Sequence, residues 1–256
     1  MKIELKENER IDDLELNGLK IIQNKTGFCF GIDSVLLSNF AKDIHKNSKI
    51  LDLGTGTGII STILTAKLEN PKITGIEIQQ DVAEMAKRSI LLNNIEDKFN
   101  IINENINNII NTFGKGTFDA VVTNPPYKPK GTGIINENDN KIISRHEITA
   151  TLEDFIKVSS EQLKDKGSLY MVNKTERLAD IIEYGRKYKL EPKNIKFIHP
   201  HVHEAPNLVL IKLVKNAKKF LKIEEPIYVY DKNGKYTKQI LKIYGKEGLN
   251  WEEYSI

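Results

Sequence analysis

The chain has 256 residues but a single cysteine, Cys29, and a single tryptophan. One cysteine cannot form an internal disulfide bond or supply a thiolate cluster for a metal ion, so we expect Cys29 to pack in the core. No apolar run is long enough to cross a bilayer, and residues 1–6 show no signal-peptide core. These absences argue against a disulfide-stapled scaffold and against a membrane protein, and they predict a cytoplasmic protein.

What is present is ordinary for a globular protein, with 39% hydrophobic and 29% charged residues. The length suits one large domain with a small appendage, and no internal repeat is visible. Alternating apolar residues between Leu14 and Ile22 flank Asn17-Gly18, which is typical of a β-hairpin with a two-residue turn. We therefore expect a hairpin extension over residues 1–30 and one domain over residues 31–256.

Positive charge is concentrated in the last third of the chain. Residues 1–180 carry 23 Lys and Arg against 26 Asp and Glu, whereas residues 181–256 carry 15 against 9. Such an excess is compatible with a polyanionic partner, because Lys and Arg neutralise phosphates. A solvated, lysine-rich surface explains the same charge without any partner.

A glycine-rich turn follows the first predicted strand of the domain. Residues 49–53 form an apolar strand that contains Asp52, residues 54–58 read Gly-Thr-Gly-Thr-Gly, and a helix begins at Ile59. A second strand, 72–78, carries Glu77, which is 19 residues beyond Gly58 and suits a pair of ribose hydroxyls. A dinucleotide site favours G-x-G-x-x-G, so this spacing and Asp52 point instead to S-adenosylmethionine rather than NAD. The alternative is a turn that serves only helix packing.

The remaining segments alternate between strand and helix, which predicts an α/β, doubly wound and mostly parallel sheet. A helix over 35–41 is expected to be capped by Asp33 or Ser34, and a helix over 81–94 by Asp81. Further helices are predicted at 152–163 and 176–188, and further strands at 99–103, 118–123, 167–172, 195–199 and 208–213. A second Asn-Gly turn is expected at 233–234.

The tetrapeptide Asn124-Pro125-Pro126-Tyr127 follows the predicted strand 118–123, at the edge where ligands bind in such sheets. Proline fixes the backbone, so the carbonyl groups and the Asn side chain form rigid acceptors for a planar amine. The Tyr ring can stack on the heterocycle that bears this amine. These residues therefore favour a seat for an exocyclic amino group, although a simple Pro-rich turn gives the same pattern.

Two other polar segments are less informative. Residues 128–142 are glycine-containing and either close over a substrate or are simply disordered. Between the last two predicted strands lie His199, His201, His203 and Glu204. Their alternate spacing, without cysteine or a helical i, i+4 pair, gives poor support for zinc, and we predict no metal site.

Taken together, the glycine turn, Glu77 and the Asn-Pro-Pro-Tyr sequence resemble class I S-adenosylmethionine-dependent methyltransferases that methylate amino groups. The segments 30–37, 145–147 and 199–207 extend the resemblance to the bacterial tRNA adenine-N6 methyltransferases that act beside the anticodon of valine tRNA. The resemblance covers most of the chain. It implies a seven-stranded sheet with a reversed last strand, S-adenosylmethionine as cofactor, and tRNA as partner.

The resemblance also implies a role for individual positions. The implied catalytic positions are Asn124, Pro125, Pro126 and Tyr127. The implied cofactor positions are Phe30, Asp33, Asp52, Gly54, Thr55, Gly56, Gly58, Glu77, Ile78, Asn105 and Ile106. The implied substrate positions are Lys128, Lys130, Arg145 and His146, although an Arg-His pair is also common on plain surfaces. The family more often has Asp at position 105, so Asn105 departs from the pattern.

Rival functions share part of these features. Glutamine methyltransferases that act on release factors also use Asn-Pro-Pro-Tyr, but they usually carry an N-terminal helical domain. A DNA adenine methyltransferase would normally add a target-recognition domain. A non-catalytic RNA-binding module explains the basic tail but leaves the glycine turn unexplained. The residues give no indication of oligomeric state.

Overall fold

A computed structural model describes residues 3–25, 31–127 and 150–246. Several positions named above lie outside these ranges: Cys29, Phe30, Lys128, Lys130, Arg145, His146 and the segment 128–142.

The predicted N-terminal hairpin is present. It pairs β1 (Glu9–Asp13) with β2 (Lys20–Asn24) in antiparallel register, and Asn17 and Gly18 have positive φ at its turn. Its first strand lies closer to the N-terminus than the alternation around Leu14 suggests.

One mostly parallel sheet forms the centre of the fold. Its longer strands are β3 (Lys49–Leu53), β4 (Lys72–Glu77), β5 (Phe99–Asn103), β6 (Phe118–Thr123), β7 (Leu163–Lys174), β8 (Leu190–His199) and β9 (Leu208–Lys215). They lie in the order β8-β9-β7-β6-β3-β4-β5, and β9 runs antiparallel to both of its neighbours. Two strands of two residues, β10 (Lys222–Ile223) and β11 (Ile227–Tyr228), extend the β8 edge. The predicted seven-stranded sheet with a reversed last strand is thus confirmed, with these two short additions.

Helices cover both faces of the sheet. They are α1 (Ile32–Phe40), α2 (Ile59–Lys67), α3 (Gln80–Asn93), α4 (Ile110–Phe113), α5 (Leu152–Gln162), α6 (Leu178–Lys187) and α7 (Lys238–Ile243). Because side chains alternate along a strand, Ile50 and Leu51 enter two separate cores. The first core lies under the hairpin, α1, α2, α3 and α7. The second lies under α5 and α6.

The hairpin is fastened to α3 by polar contacts. Both guanidinium amino groups of Arg88 donate to the Glu9 carboxylate at 2.6 Å, and this pair is largely buried. The backbone N–H of Ile22 donates to the Ser89 hydroxyl at 2.9 Å. The hairpin therefore covers the helix that follows the Glu77 strand.

Two predicted helix caps are wrong. Helix α1 begins after Gly31 and α3 after Gln79, and neither of these N-cap residues caps its helix through a side chain. Asp33 and Asp81 lie instead within the first turns of these helices, where a negative charge still interacts favourably with the helix dipole. Only the caps were misplaced, since both helices form.

Elements near the C-terminal end also differ from the prediction. Strands β7 and β8 are longer than the apolar runs 167–172 and 195–199. The residues added at the carboxyl end of β7, Asn173 and Lys174, and those added at the amino end of β8 pair with β9, whereas Leu163 at the start of β7 pairs with Phe118 of β6. At the second Asn-Gly turn, Gly234 has φ +77° and a single antiparallel bridge joins Tyr230 to Tyr236. No helix in the described ranges combines the length and apolarity that a bilayer span requires.

Candidate active site

Four strands end side by side at the carboxyl edge of the sheet. Leu53 of β3 is in register with Ile76 of β4 and with Thr123 of β6, and Glu77 is in register with Asn103 of β5. The Thr123 hydroxyl donates to the Leu53 carbonyl at 2.8 Å and ties two of these ends together. The glycine turn (residues 54–58) and the NPPY loop (residues 124–127) therefore start from adjacent strand ends.

The glycine turn needs glycine for two different reasons. Gly54, Gly56 and Gly58 all have positive φ, at +68°, +58° and +85°. A Cβ atom at Gly58 would lie 3.0 Å from Cε1 of Phe99, so the helix start is closely packed there. A Cβ atom at Gly56 would meet nothing within 4 Å. The turn is thus closely packed at Gly58 and open at Gly56. The open space at Gly56 is what a ligand would need to approach the backbone.

Asp52 is fully buried beneath this turn. Its Oδ2 accepts hydrogen bonds from the hydroxyl groups of Thr55 and Ser61, both at 2.7 Å, whereas Oδ1 has no partner among the described residues. Burial raises the pKa of this carboxyl to about 6, and the nearby charge of Glu77 acts in the same direction. The two hydroxyl bonds hold the start of α2 and lower the pKa only in part.

Glu77 ends β4 and supports the other side of the turn. Its Oε2 accepts the Gly56 N–H at 3.0 Å, and its Oε1 accepts the Gln79 N–H at 2.9 Å. Burial raises the pKa of Glu77, while these backbone bonds oppose the shift. Neither Glu77 nor Asp52 has an ion-pair partner within the described part of the chain. Two buried carboxylates without a cation make this turn electrostatically suited to a positively charged ligand.

The next strand end contributes Asn103, a residue that the sequence reasoning missed. Its amide donates to the carbonyl groups of Glu77 and Ile78 at 2.7 and 3.0 Å, so it fixes the backbone after the carboxylate. The available signal was a polar residue closing an apolar strand. Ile78 is exposed, Ile106 is buried, and the Asn105 side chain accepts the Asn107 N–H at 3.0 Å as a cap.

The NPPY loop continues directly from β6. Pro125 is buried, Pro126 is exposed, and Asn124 and Tyr127 are half-buried. The Tyr127 hydroxyl donates to Oδ2 of Asp33 at 2.6 Å, which joins the loop to the first turn of α1. Burial and the Asp33 carboxylate raise the pKa of Tyr127 well above its ordinary value, so the hydroxyl remains a donor.

A second side chain fixes the Tyr127 ring. The ammonium group of Lys174, at the end of β7, lies 5.2 Å from the ring centroid. No sequence signal points to Lys174, because the apolar run of β7 ends before it. Asp33 was expected near the cofactor or at the helix cap, and the contact found is with Tyr127.

The histidine segment forms ring pairs at the same edge. His199 lies 5.1 Å from Tyr228 and His201 lies 5.4 Å from Tyr230, measured between ring centroids. The His199 Nδ1 atom lies 2.7 Å from the Glu204 carbonyl oxygen. No group of three or more potential metal ligands occurs in the described ranges.

The strand order, the reversed β9, the glycine turn and the carboxylate that ends β4 together define a Rossmann-like methyltransferase fold. The chain belongs to the methyltransferase small domain family, whose sequence profile matches residues 31–183.

Individual proteins that resemble this chain are also named as methyltransferases. The chain is 29% identical over 185 residues to a tRNA1(Val) (adenine(37)-N6)-methyltransferase of Porphyromonas gingivalis, with 70% of this chain and 72% of the relative covered. It is 23% identical over 224 residues to a Haemophilus influenzae protein of the same name, with coverages of 87% and 92%. A crystal structure of a predicted O-methyltransferase from Agrobacterium tumefaciens superposes with a TM-score of 0.67 at 22% identity. The superposition covers 85% of this chain and 98% of the Agrobacterium tumefaciens chain, and it supports the fold.

Proposed function

We propose that this protein transfers a methyl group from S-adenosylmethionine to the exocyclic N6 amine of an adenine in tRNA, next to the anticodon of valine tRNA. The observation that carries the proposal is the position of the NPPY loop. It begins one residue after Thr123, which is bonded to the strand end that opens the glycine turn. A seat for a planar amine and a turn suited to a cationic ligand therefore face the same edge.

The residues of the turn fit S-adenosylmethionine. Its ammonium and sulfonium groups are positive, and Asp52 and Glu77 supply buried negative charge without a cation of their own. The space at Gly56 lets the ligand approach the backbone closely. Glu77 is our candidate for the ribose hydroxyls, and the backbone at Ile78 and Ile106 for the adenine. The cofactor, when bound, supplies an electrophilic methyl group on sulfur.

The NPPY loop is proposed to hold the acceptor nitrogen. The side-chain oxygen of Asn124 and the Pro125 carbonyl accept the two N–H groups of the amine, while the Tyr127 ring stacks on the purine. With the cofactor bound, the nitrogen lone pair would form the new N–C bond as the C–S bond breaks, the electron pair of that bond would stay on sulfur, and the extra proton would then leave to solvent. The acceptors disperse the positive charge that develops on nitrogen, so no strong base is required. The target adenine must leave its base stack to reach this seat.

The choice of adenine in tRNA follows the relatives from Porphyromonas gingivalis and Haemophilus influenzae, which carry that activity in their names and align over most of this chain. For a tRNA substrate, we infer that the enzyme acts in the cytoplasm. The excess of lysine in the last third of the chain supports a polyanionic substrate.

The test is transfer of labelled methyl from S-adenosylmethionine to RNA from cells that lack the gene, followed by nucleoside mass spectrometry. We expect N6-methyladenosine in the tRNA fraction, at a position that digestion of purified valine tRNA maps beside the anticodon. Label that appears only in protein, as for a glutamine methyltransferase, or only in DNA, would refute the tRNA substrate.

A further inference from the structure

A row of four aromatic rings runs across the C-terminal segment. We call His201, Tyr230, Tyr236 and Tyr244 the aromatic row. Neighbouring ring centroids in it are 5.4, 5.4 and 6.2 Å apart. The two Tyr–Tyr pairs are stacked, with interplanar angles of 13° and 18°. All four side chains are half-buried, so each ring keeps part of its surface open to solvent.

The aromatic row begins at the same edge of the sheet as the NPPY loop. His201 follows the end of β8, and β8 is parallel to β7 and β6 because β9 is antiparallel to both β7 and β8. Three strand spacings separate the ends of β8 and β6, which is about 14 Å. Tyr230, Tyr236 and Tyr244 also pack against the first core, as Tyr127 does, so they share its face of the sheet.

The segment that carries the three tyrosines of the row is strongly basic. Residues 227–246 contain five lysines and one aspartate. Lys232, Lys235 and Lys238 are exposed, and none of the three forms an ion pair with another described residue. The single aspartate, Asp231, accepts the backbone N–H groups of Asn233 and Lys235 in the turn. The charges of these three lysines are therefore not neutralised by an ion pair within the described residues, whereas Lys246 of the same segment pairs with Glu15.

Covering the first core requires only apolar area, which Ile240 and Ile243 of α7 already supply. A row of stacked rings with free lysines beside it has the chemistry of a single-stranded nucleic acid site, where bases stack on rings and lysines contact phosphates. We propose that the aromatic row and Lys232, Lys235 and Lys238 dock the single-stranded loop of the RNA whose adenine enters the NPPY loop. This inference rests on the proposed function and identifies the surface that recognises the substrate.

The first test reverses two charges. The variant Lys232→Glu/Lys235→Glu is compared with Lys218→Glu/Lys219→Glu, an equal change at exposed lysines near the opposite, amino end of β8. Affinity for a tRNA anticodon stem-loop is measured by fluorescence anisotropy over a series of salt concentrations. We expect the first variant to bind at least about tenfold more weakly and to show a shallower salt dependence, because each lost phosphate contact removes about 0.7 from the slope. The second variant should stay within about twofold of the parent.

The second test removes one ring. His201→Ala is compared with His203→Ala, an exposed histidine two residues away that forms no ring pair with the described residues. Loss of one aromatic stack on a base should weaken stem-loop binding about five- to one-hundred-fold. Thermal unfolding and S-adenosylmethionine affinity by calorimetry should be the same in both variants, which separates a binding defect from a folding defect.

The outcomes distinguish this inference from the function on which it rests. If the parent enzyme methylates tRNA but both row variants bind the stem-loop like their controls, the docking surface is wrong and the proposed function stands. If the parent enzyme neither binds nor methylates RNA, the RNA substrate is wrong and this inference falls with it.

Discussion

The glycine turn and the NPPY loop lie at the same edge of the sheet, yet contacts of different range hold them. Asp52 is bonded to Thr55 and Ser61, three and nine residues further along the chain, and Gly56 is bonded to Glu77, 21 residues further. Tyr127, by contrast, is held by Asp33, 94 residues earlier in the chain, and by Lys174 on another strand.

Because of this difference, we assign different roles to the contacts of the glycine turn and to those of the NPPY loop. The local network is buried beneath a backbone turn, so we expect it to contribute to folding as well as to the proposed cofactor site. The NPPY loop is held by two side chains that reach it from separate elements, so its geometry can change while the fold stays intact. We therefore expect substitutions in the turn to alter stability and cofactor affinity together, and substitutions in the loop to alter transfer alone.

The largest effect is expected for Asn124→Ala. Removal of one acceptor aimed at the developing charge should lower kcat for methyl transfer about 10²- to 10³-fold. S-adenosylmethionine affinity and the unfolding midpoint should remain unchanged, as measured by calorimetry and thermal melts. Asn111→Ala, an exposed position on α4, is the matched control. A full transfer rate in Asn124→Ala would show that this side chain does not hold the amine.

Asp52→Asn should stabilise the protein while weakening the cofactor site. The pKa of Asp52 is raised from 3.8 to about 6, so its favourable contribution is present below about pH 4 and is lost as the pH rises through 6. At pH 7 the buried carboxylate costs about 3 kcal/mol, at about 1.4 kcal/mol per pKa unit. Urea unfolding from pH 4 to 7 should show the variant gaining stability relative to the parent across this range, while calorimetry shows weaker S-adenosylmethionine binding.

The substitution Asp97→Asn, at an exposed position, controls for the loss of one negative charge. Equal pH dependence of stability in the parent and in Asp52→Asn would mean that the buried carboxylate does not titrate as described.

Two glycine substitutions compare the closely packed part of the glycine turn, at Gly58, with its open part, at Gly56. Gly58→Ala should lower the unfolding free energy by about 2 kcal/mol, because alanine is strained at positive φ and its Cβ would press on Phe99. Gly56→Ala carries the backbone strain without the contact, so we expect about 1 kcal/mol and a proportionally larger loss of cofactor affinity. Denaturant unfolding and calorimetry on both variants check this. Equal losses of stability would contradict the division.

The smallest effect on methyl transfer is expected at the link between Tyr127 and Asp33. Tyr127→Phe and Asp33→Asn should each lower transfer to RNA about tenfold, the loss expected for one hydrogen bond to a charged group. The double variant should lose no more than either single variant, because both changes remove the same bond. Additive losses would show that the two residues act independently. S-adenosylmethionine affinity is the second readout, since a direct cofactor role for Asp33 would lower it.

Much of the fold was predictable because the short apolar runs that form strands end at polar residues typical of turns. The strands 49–53, 99–103 and 118–123 were predicted with the bounds that the structure has. The caps of α1 and α3 were not, because an Asp near a helix start satisfies the cap pattern even where the helix begins before that residue. Strand β7 exceeded its apolar run because pairing with β9, which no local pattern reveals, extends it to Lys174.

The sequence by itself determined the two motifs, the alternation of strand and helix that places them at strand ends, and the basic excess of the last third. These features depend on spacing along the chain, where backbone conformation and side-chain period set the outcome. Only the tertiary structure decided that Asp33 bonds to Tyr127, that Lys174 lies over its ring, and that the aromatic row starts at the same edge of the sheet as the NPPY loop. Those contacts join residues far apart in sequence, and strand order and packing, rather than local preference, bring them together.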